Sequence, residues 1–283
     1  MQREKEPAAR AQLLVETAVL QEEKLVDLDG AAATYKEALA AAPSNVRAMR
    51  ALARIEEARG DWDSLATVLA SELALATDQV AKFELLMRLG NIEEHNLERP
   101  GKALPHFTAA LELGTGNRPK AIAALVRYLE PDGPGRAIDS KQRVAAARLL
   151  LPFLDKGRDH ALALEIIRAA DDTPASERLD LDRTLMRLYH IDLGDPAAAW
   201  LAGLRVLAAD PADSDMRGAL GLLAGQLGRD GEWARHLATA LAALRAKNGP
   251  PPEVRSIATE LAKLAGDRLG DRVTAEKAWI TVL

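Results

Sequence analysis

An all-α solenoid of antiparallel helix-turn-helix repeats is the fold this sequence predicts, on three observations. The 283 residues are dominated by Ala and Leu and only 4% are aromatic, a mixture that helices accept and that starves a sheet of the β-branched and ring side chains it packs. A turn rich in Gly, Asp or Pro, followed by an Ala-rich helix, recurs along the chain, and such self-similarity marks a repeat architecture. No shift of composition separates two unlike domains, so the length goes into one extended array.

Gly, Pro, Asp and Ser punctuate about fifteen helices. The first seven run 7–27, 30–42, 44–59, 61–76, 78–97, 100–113 and 117–130. The others run 138–156, 158–170, 174–193, 195–209, 212–228, 230–247, 251–269 and 271–283. Leu28-Asp29-Gly30-Ala31 aligns with the segments Leu97 to Ala103, Leu193 to Ala199 and Leu269 to Ala275. In three of these units an aromatic follows the Ala by four residues: Tyr35 after Ala31, Phe107 after Ala103 and Trp279 after Ala275. That spacing puts both on one helical face, where the Ala admits a neighbouring helix and the ring fills the space beside it. Pro43 stands where the helix after Tyr35 must stop. A second kind of hairpin carries Asp61-Trp62 before Leu65 and Glu232-Trp233 before Leu237, each with an acid at the positive end of the helix dipole.

The series is interrupted at Pro131-Asp132-Gly133-Pro134-Gly135, which cannot continue a helix. This divides a more regular part, 1–130, from a diverged part, 138–283, across a Pro/Gly-rich break at 131–137. The helix before the break is expected to lack the partner that the other hairpins have. Asn248-Gly249-Pro250-Pro251-Pro252 reads as a loop between hairpins.

Units 11–44 and 44–77 each span about 34 residues. Leu89-Gly90 in one helix, then Ala103, Phe107 and Ala110 in the next, resemble the Leu-Gly and Ala-x-x-x-Phe-x-x-Ala signature of the tetratricopeptide repeat family. The departures are Glu93 where that family places an aromatic, Gly203 in place of the ring after Ala199, and Thr115 in place of the proline supplied by Pro43 and Pro211. The likeness covers 11–115 well, 174–283 in patches and 116–157 hardly at all. It implies helix pairs wound into a right-handed superhelix, with a peptide or partner helix held in the concave groove that the first helix of each pair lines. The alternation of hairpins also resembles long repeat proteins of high-GC bacteria, which suggests a bacterial source.

Composition and motifs bound the chemistry. A net charge of -5 opposes a phosphate-binding groove, and the absence of cysteine removes disulfides, thiolate nucleophiles and cysteine-held metals. The charged stretch Met1 to Arg10 is no signal peptide, and no apolar run reaches the roughly 20 residues a bilayer requires, so a cytoplasmic protein without membrane contact is expected. His95, His106, His160, His190 and His236 show no metal-ligand spacing. The acid pairs Glu22-Glu23, Glu56-Glu57 and Glu93-Glu94 project about 100° apart on a helix and read as solvated faces rather than a catalytic dyad. Gly114-Thr115-Gly116-Asn117 completes neither nucleotide-binding glycine motif and reads as a turn. No catalytic, metal or cofactor site is expected.

One constellation suggests binding. Arg47, Arg50 and Arg54 form a stripe opposite the core positions Met49, Leu52 and Ile55. By the family match this stripe faces the groove, with Glu84, Met87, Asn91 and Glu94 lining the next helix. Guanidinium clusters clasp carboxylates through paired hydrogen bonds, so the expected partner is a protein or peptide with an acidic segment. The competing reading has these arginines paired with Glu84, Glu94 or water. The expected function is a non-enzymatic interaction scaffold; the alternatives are a helical-repeat nucleic-acid binder and an α/α enzyme. The last helix stops just after Trp279 with no polar cap, so the chain is expected to be part of a longer array or to be covered end to end by another copy.

Overall fold

The computed structural model describes residues 5–114, 116–247, 249 and 251–282, with side chains from residue 8 onward. The expectations that concern Thr115, Asn248 and Pro250 lie outside the described residues, as does most of the charged start. Among the described residues there are fifteen α-helices and no strand, which makes the chain an all-α helical-repeat solenoid. It divides into two compact units, one reaching Leu150 and one beginning at Leu151, and the Pro/Gly-rich break lies inside the first.

The first unit holds α1 (Lys5–Glu23), α2 (Leu28–Ala41), α3 (Val46–Arg59), α4 (Trp62–Leu75), α5 (Gln79–Asn91), α6 (Pro100–Glu112), α7 (Arg118–Val126) and α8 (Ser140–Leu150). Four of the eight helix starts are set by side chains accepting from orphan amides: Asp27 from Gly30, Asn45 from Ala48, Asp61 from Ser64 and Asp78 from Ala81. Gly60 ends α3 in the left-handed conformation at φ 71°, which a glycine adopts without steric cost. Consecutive helices pack in antiparallel pairs around Ala31, Tyr35, Met49, Leu52, Leu65 and Leu69, all buried.

The second unit holds α9 (Arg158–Ala169), α10 (Ala175–Arg187), α11 (Pro196–Ala209), α12 (Ser214–Leu227), α13 (Asp230–Ala246), α14 (Pro251–Lys263) and α15 (Arg272–Val282). Its core is built on Trp200, which meets Trp233 edge to face at 6.0 Å between ring centres. Charges stitch the layers. Asp182 on α10 accepts at 2.5 Å from Arg168 of α9 and at 2.5 Å from Arg205 of α11. Arg217 of α12 is fully buried, and its guanidinium reaches Glu260 at 3.2 Å, Ser256 at 3.0 Å and the Pro211 carbonyl at 3.0 Å.

A recurring turn that the sequence reading missed organises both units. Helices α5, α10 and α14 each run on into a π-helical turn, at 92–96, 188–192 and 264–268. The amides of Leu97, Leu193 and Leu269 then bond back to the carbonyls of Ile92, Leu188 and Leu264, and the next residue is left-handed: Glu98, Gly194 and Gly270. The α1–α2 turn repeats the last step, with Leu25 bonded to the Leu20 carbonyl and Val26 left-handed at φ 54°. Leu25, not Leu28, is therefore the counterpart of Leu97, which keeps Ala31 level with Ala103 and corrects the alignment by three residues.

Two positions gain a physical account and one expectation changes. The helix before the break packs on α8 much less than the paired helices of the other hairpins pack on each other, as expected, and Arg143 of α8 ties the two by donating to the carbonyls of Tyr128 (3.1 Å) and Leu129 (2.8 Å) just beyond α7. One acid of two of the pairs is not solvated. Glu56 is fully buried beside Lys36 Nζ at 2.7 Å, and Glu93, standing at the family's aromatic position, is buried too. The missing ring at Gly203 is replaced by its neighbours: a Cβ there would come within 2.8 Å of Leu220 and 3.3 Å of Met216 Sδ, both on α12.

Candidate functional site

The face predicted to bind is carried by α1, α3, α5 and α7. Asn45 and Asp78 fix the starts of α3 and α5, and burial of Met49, Leu52 and Ile55 and of Phe83, Leu86 and Leu89 turns the predicted residues away from the core. Arg47, Arg50 and Arg54 are all exposed, as expected. Arg50 Nε stands 3.0 Å from Glu72 of α4, and Arg54 reaches Glu22 of α1 at 2.6 Å. The carboxylates that take two of the three arginines are thus on α4 and α1, and neither is Glu84 or Glu94. Arg47 has no ion pair among the described residues, and its charge acts on the nearby Tyr35 phenol.

Glu84 and Glu94 pair elsewhere. Glu84 lies 3.8 Å from Lys120 Nζ, and Glu94 lies 3.0 Å from Arg127 and accepts from the Tyr128 hydroxyl at 2.8 Å. Glu22 has the same arrangement, held by Arg54 on one oxygen and 3.5 Å from the Tyr35 hydroxyl on the other. Each glutamate sits three residues before the leucine of its turn, Leu25 or Leu97, so a Glu-Arg-Tyr clasp occurs twice, with its tyrosine drawn from α2 in the first and from the turn after α7 in the second. Burial, and then the neighbouring carboxylate, push both tyrosine hydroxyls above their ordinary pKa and keep them as neutral donors. Between the clasps, Arg88 of α5 reaches Glu57 of α3 at 2.7 Å. The result is a ladder of ion pairs stepping from one first helix to the next.

Glu84, Met87 and Asn91 come together as predicted, on the wall of a cavity of about 590 Å³ that Glu57, Trp62 and Lys120 complete. Glu94 is not among its lining residues and belongs to the clasp instead. Sequence reasoning missed Glu22, Glu57, Glu72, Arg88 and Lys120. The available signal was charge of opposite sign at matched places on successive first helices, which the search within single helices passed over. A second cavity, about 820 Å³, opens between α2 and α4 above Met49 and Leu52, with Thr67 and Ser71 on its rim.

Among the described residues no three His, Asp or Glu side chains are grouped to hold a metal ion, and no helix is long and apolar enough to cross a membrane.

No family model matches the chain. No curated protein matches it either. Among solved structures, the crystal structure of BtubC (BKLC) from P. vanneervenii is 17% identical over 87% of this chain and 93% of its own, at a TM-score of 0.27. Naa15/Naa10 bound to HypK-THB is 18% identical over 95% of this chain, which spans about half (52%) of that one, again at a TM-score of 0.27. At those scores neither likeness bears on function. The helical-repeat fold rests on the recurring turns and helix pairs described above.

Proposed function

We propose that this chain is a non-enzymatic scaffold that holds a segment of a partner protein along α3 and α5. The supporting observation is the cavity walled by Glu84, Met87 and Asn91, which lies on the face that the tetratricopeptide resemblance assigns to partner binding. Its Trp62, Leu85, Met87 and Ile92 suit an apolar anchor, and the acids and bases beside them suit a polar backbone. Acidic side chains of the partner pair with Arg47 and compete with Glu72 for Arg50. Exposed pairs such as Arg50 with Glu72 contribute only about 0.2 to 1 kcal/mol, so the exchange costs little. The reading assigns no catalytic group.

The test is a peptide selected on the full-length chain from a randomised display library. Arg47→Glu with Arg50→Glu weakens its binding by about tenfold or more, equivalent to about 1.4 kcal/mol, while helical circular dichroism is unchanged. Undiminished binding by that variant contradicts the proposal.

A further inference from the structure

The cavity of about 820 Å³ lies outside the face proposed for the partner and has a chemistry of its own. Its walls, α2 and α4, run the same way because each is antiparallel to α3. Lys36 Nζ crosses from one wall to Ser64 Oγ of the other at 3.5 Å and closes one end. From there the gap follows α4 as far as Leu75, about 16 Å at the rise of an α-helix. Small side chains on α4, those of Ser64, Ser71 and Ala74, leave the gap unfilled, and Met49 and Leu52 of α3 close its floor. Leu39 and Val68 make the inner walls apolar, and Leu75 at the far end is 42% exposed. The volume is that of a site for a small molecule.

Charge and hydrogen-bond polarity define the occupant. The charged residues of the lining are already matched: Lys36 Nζ lies 2.7 Å from the buried Glu56, and Asp63 lies 2.6 Å from Arg99. A charged group brought in from water would meet no free counter-charge among the described lining residues, and burying it unpaired is costly. The hydroxyls on the α4 wall are committed as donors. Thr67 Oγ1 donates to the Asp63 carbonyl at 2.9 Å, and Ser71 Oγ donates to the Thr67 carbonyl at 3.0 Å. Thr67 and Ser71, one helical turn apart, therefore offer the cavity lone pairs, which accept hydrogen bonds from a ligand. We infer that this cavity binds a small, uncharged, largely aliphatic molecule that carries hydroxyl or N–H donors on one edge. Its chain lies over Leu39 and Val68 toward Leu75, and its donors face Thr67 and Ser71. The site shares no lining residue with the cavity on α3 and α5, so it stands apart from the partner reading.

Fluorescence of N-phenyl-1-naphthylamine, an uncharged probe with one N–H donor, tests the inference on the full chain. Wild type is expected to give a saturable rise that dodecanol reverses. Methyl dodecyl ether, which lacks the donor, needs about threefold to tenfold more to do the same, the worth of one hydrogen bond. Dodecanoate, which adds a charge, needs about tenfold more or worse. Thr67→Val combined with Ser71→Ala removes the acceptors, weakens dodecanol by about the factor that separates it from the ether, and leaves the ether unchanged. Ser71→Trp, at an exposed position of the wall, fills the cavity and abolishes the rise. Unchanged circular dichroism excludes unfolding of either variant. The inference is overturned by a wild type without a saturable rise, by a rise undiminished in Ser71→Trp, or by dodecanol binding undiminished in the double variant. Displacement of the probe by dodecanoate or the ether as readily as by dodecanol, or by the peptide selected for α3 and α5, also overturns it.

Discussion

Gly90 on α5 lies against the ring of Phe107 on α6 so closely that a methyl group at residue 90 would stand 2.7 Å from Cζ. Phe107 has little room to retreat, because its ring also meets Tyr128 edge to face at 6.3 Å and the residue is fully buried. The Leu-Gly signature is therefore a packing rule, in which the small residue on one helix and the ring on the other share a fixed volume.

Gly90→Ala is expected to destabilise the first unit by about 1 to 3 kcal/mol through overpacking, despite alanine's better helix propensity. Denaturant titration of Gly90→Ala in the Phe107→Leu background measures the coupling. A smaller loss there than in the wild-type background identifies the ring as the obstacle.

Val26 stands at φ 54°, where Gly194 and Gly270 serve the equivalent turns. A branched side chain in the left-handed region costs on the order of 1 to 2 kcal/mol, and glycine's extra unfolded-state freedom offsets roughly 0.5 to 1 of that. Val26 is exposed and its removal costs no burial. Val26→Gly should stabilise the α1–α2 hairpin by about 0.5 to 1 kcal/mol, read from the denaturation midpoint, and Gly194→Val should shift stability the opposite way.

His106 on α6 gives the first unit a pH dependence. Burial holds its imidazole below the ordinary value, and the Glu93 carboxylate opposes that only in part. The folded chain therefore binds this proton less readily than the unfolded chain, whose histidine titrates at about 6.5. The stabilising contribution is complete above that pH and is lost as pH falls through the depressed folded-state value. The difference in thermal midpoint between wild type and His106→Gln should move in favour of wild type as pH rises from acid to about 6.5 and stay level above that.

Much of the fold was legible in the sequence because its punctuation is chemical. Asp61 and Asp78 cap helices at the starts read for them, and Gly60 ends α3 as a helix-final glycine should. The π-helical turns were not legible, because Ile92, Leu188 and Leu264 follow the same apolar period as the helices they extend. The three-residue slip at Leu28 came from matching the glycine-containing turn by composition; the left-handed residue there is Val26, which no turn propensity would nominate. The burial of Glu56 was hidden because its partner Lys36 is on another helix. The candidate site was half legible. The arginine stripe follows from helical spacing and the lining of Glu84, Met87 and Asn91 from the tetratricopeptide resemblance, but the pairing of Arg54 with Glu22 is a relation between repeats that no single helix displays.

Hydrogen exchange of the full chain with and without the selected peptide tests the central claim most directly. The account predicts slowed exchange in α3, α5 and the π-helical turn at 92–96, where the wall of the smaller cavity stands, and no change at α13 to α15. Protection confined to α2 and α4 around the 820 Å³ cavity, or confined to the second unit, with α3 and α5 exchanging as before, would contradict it.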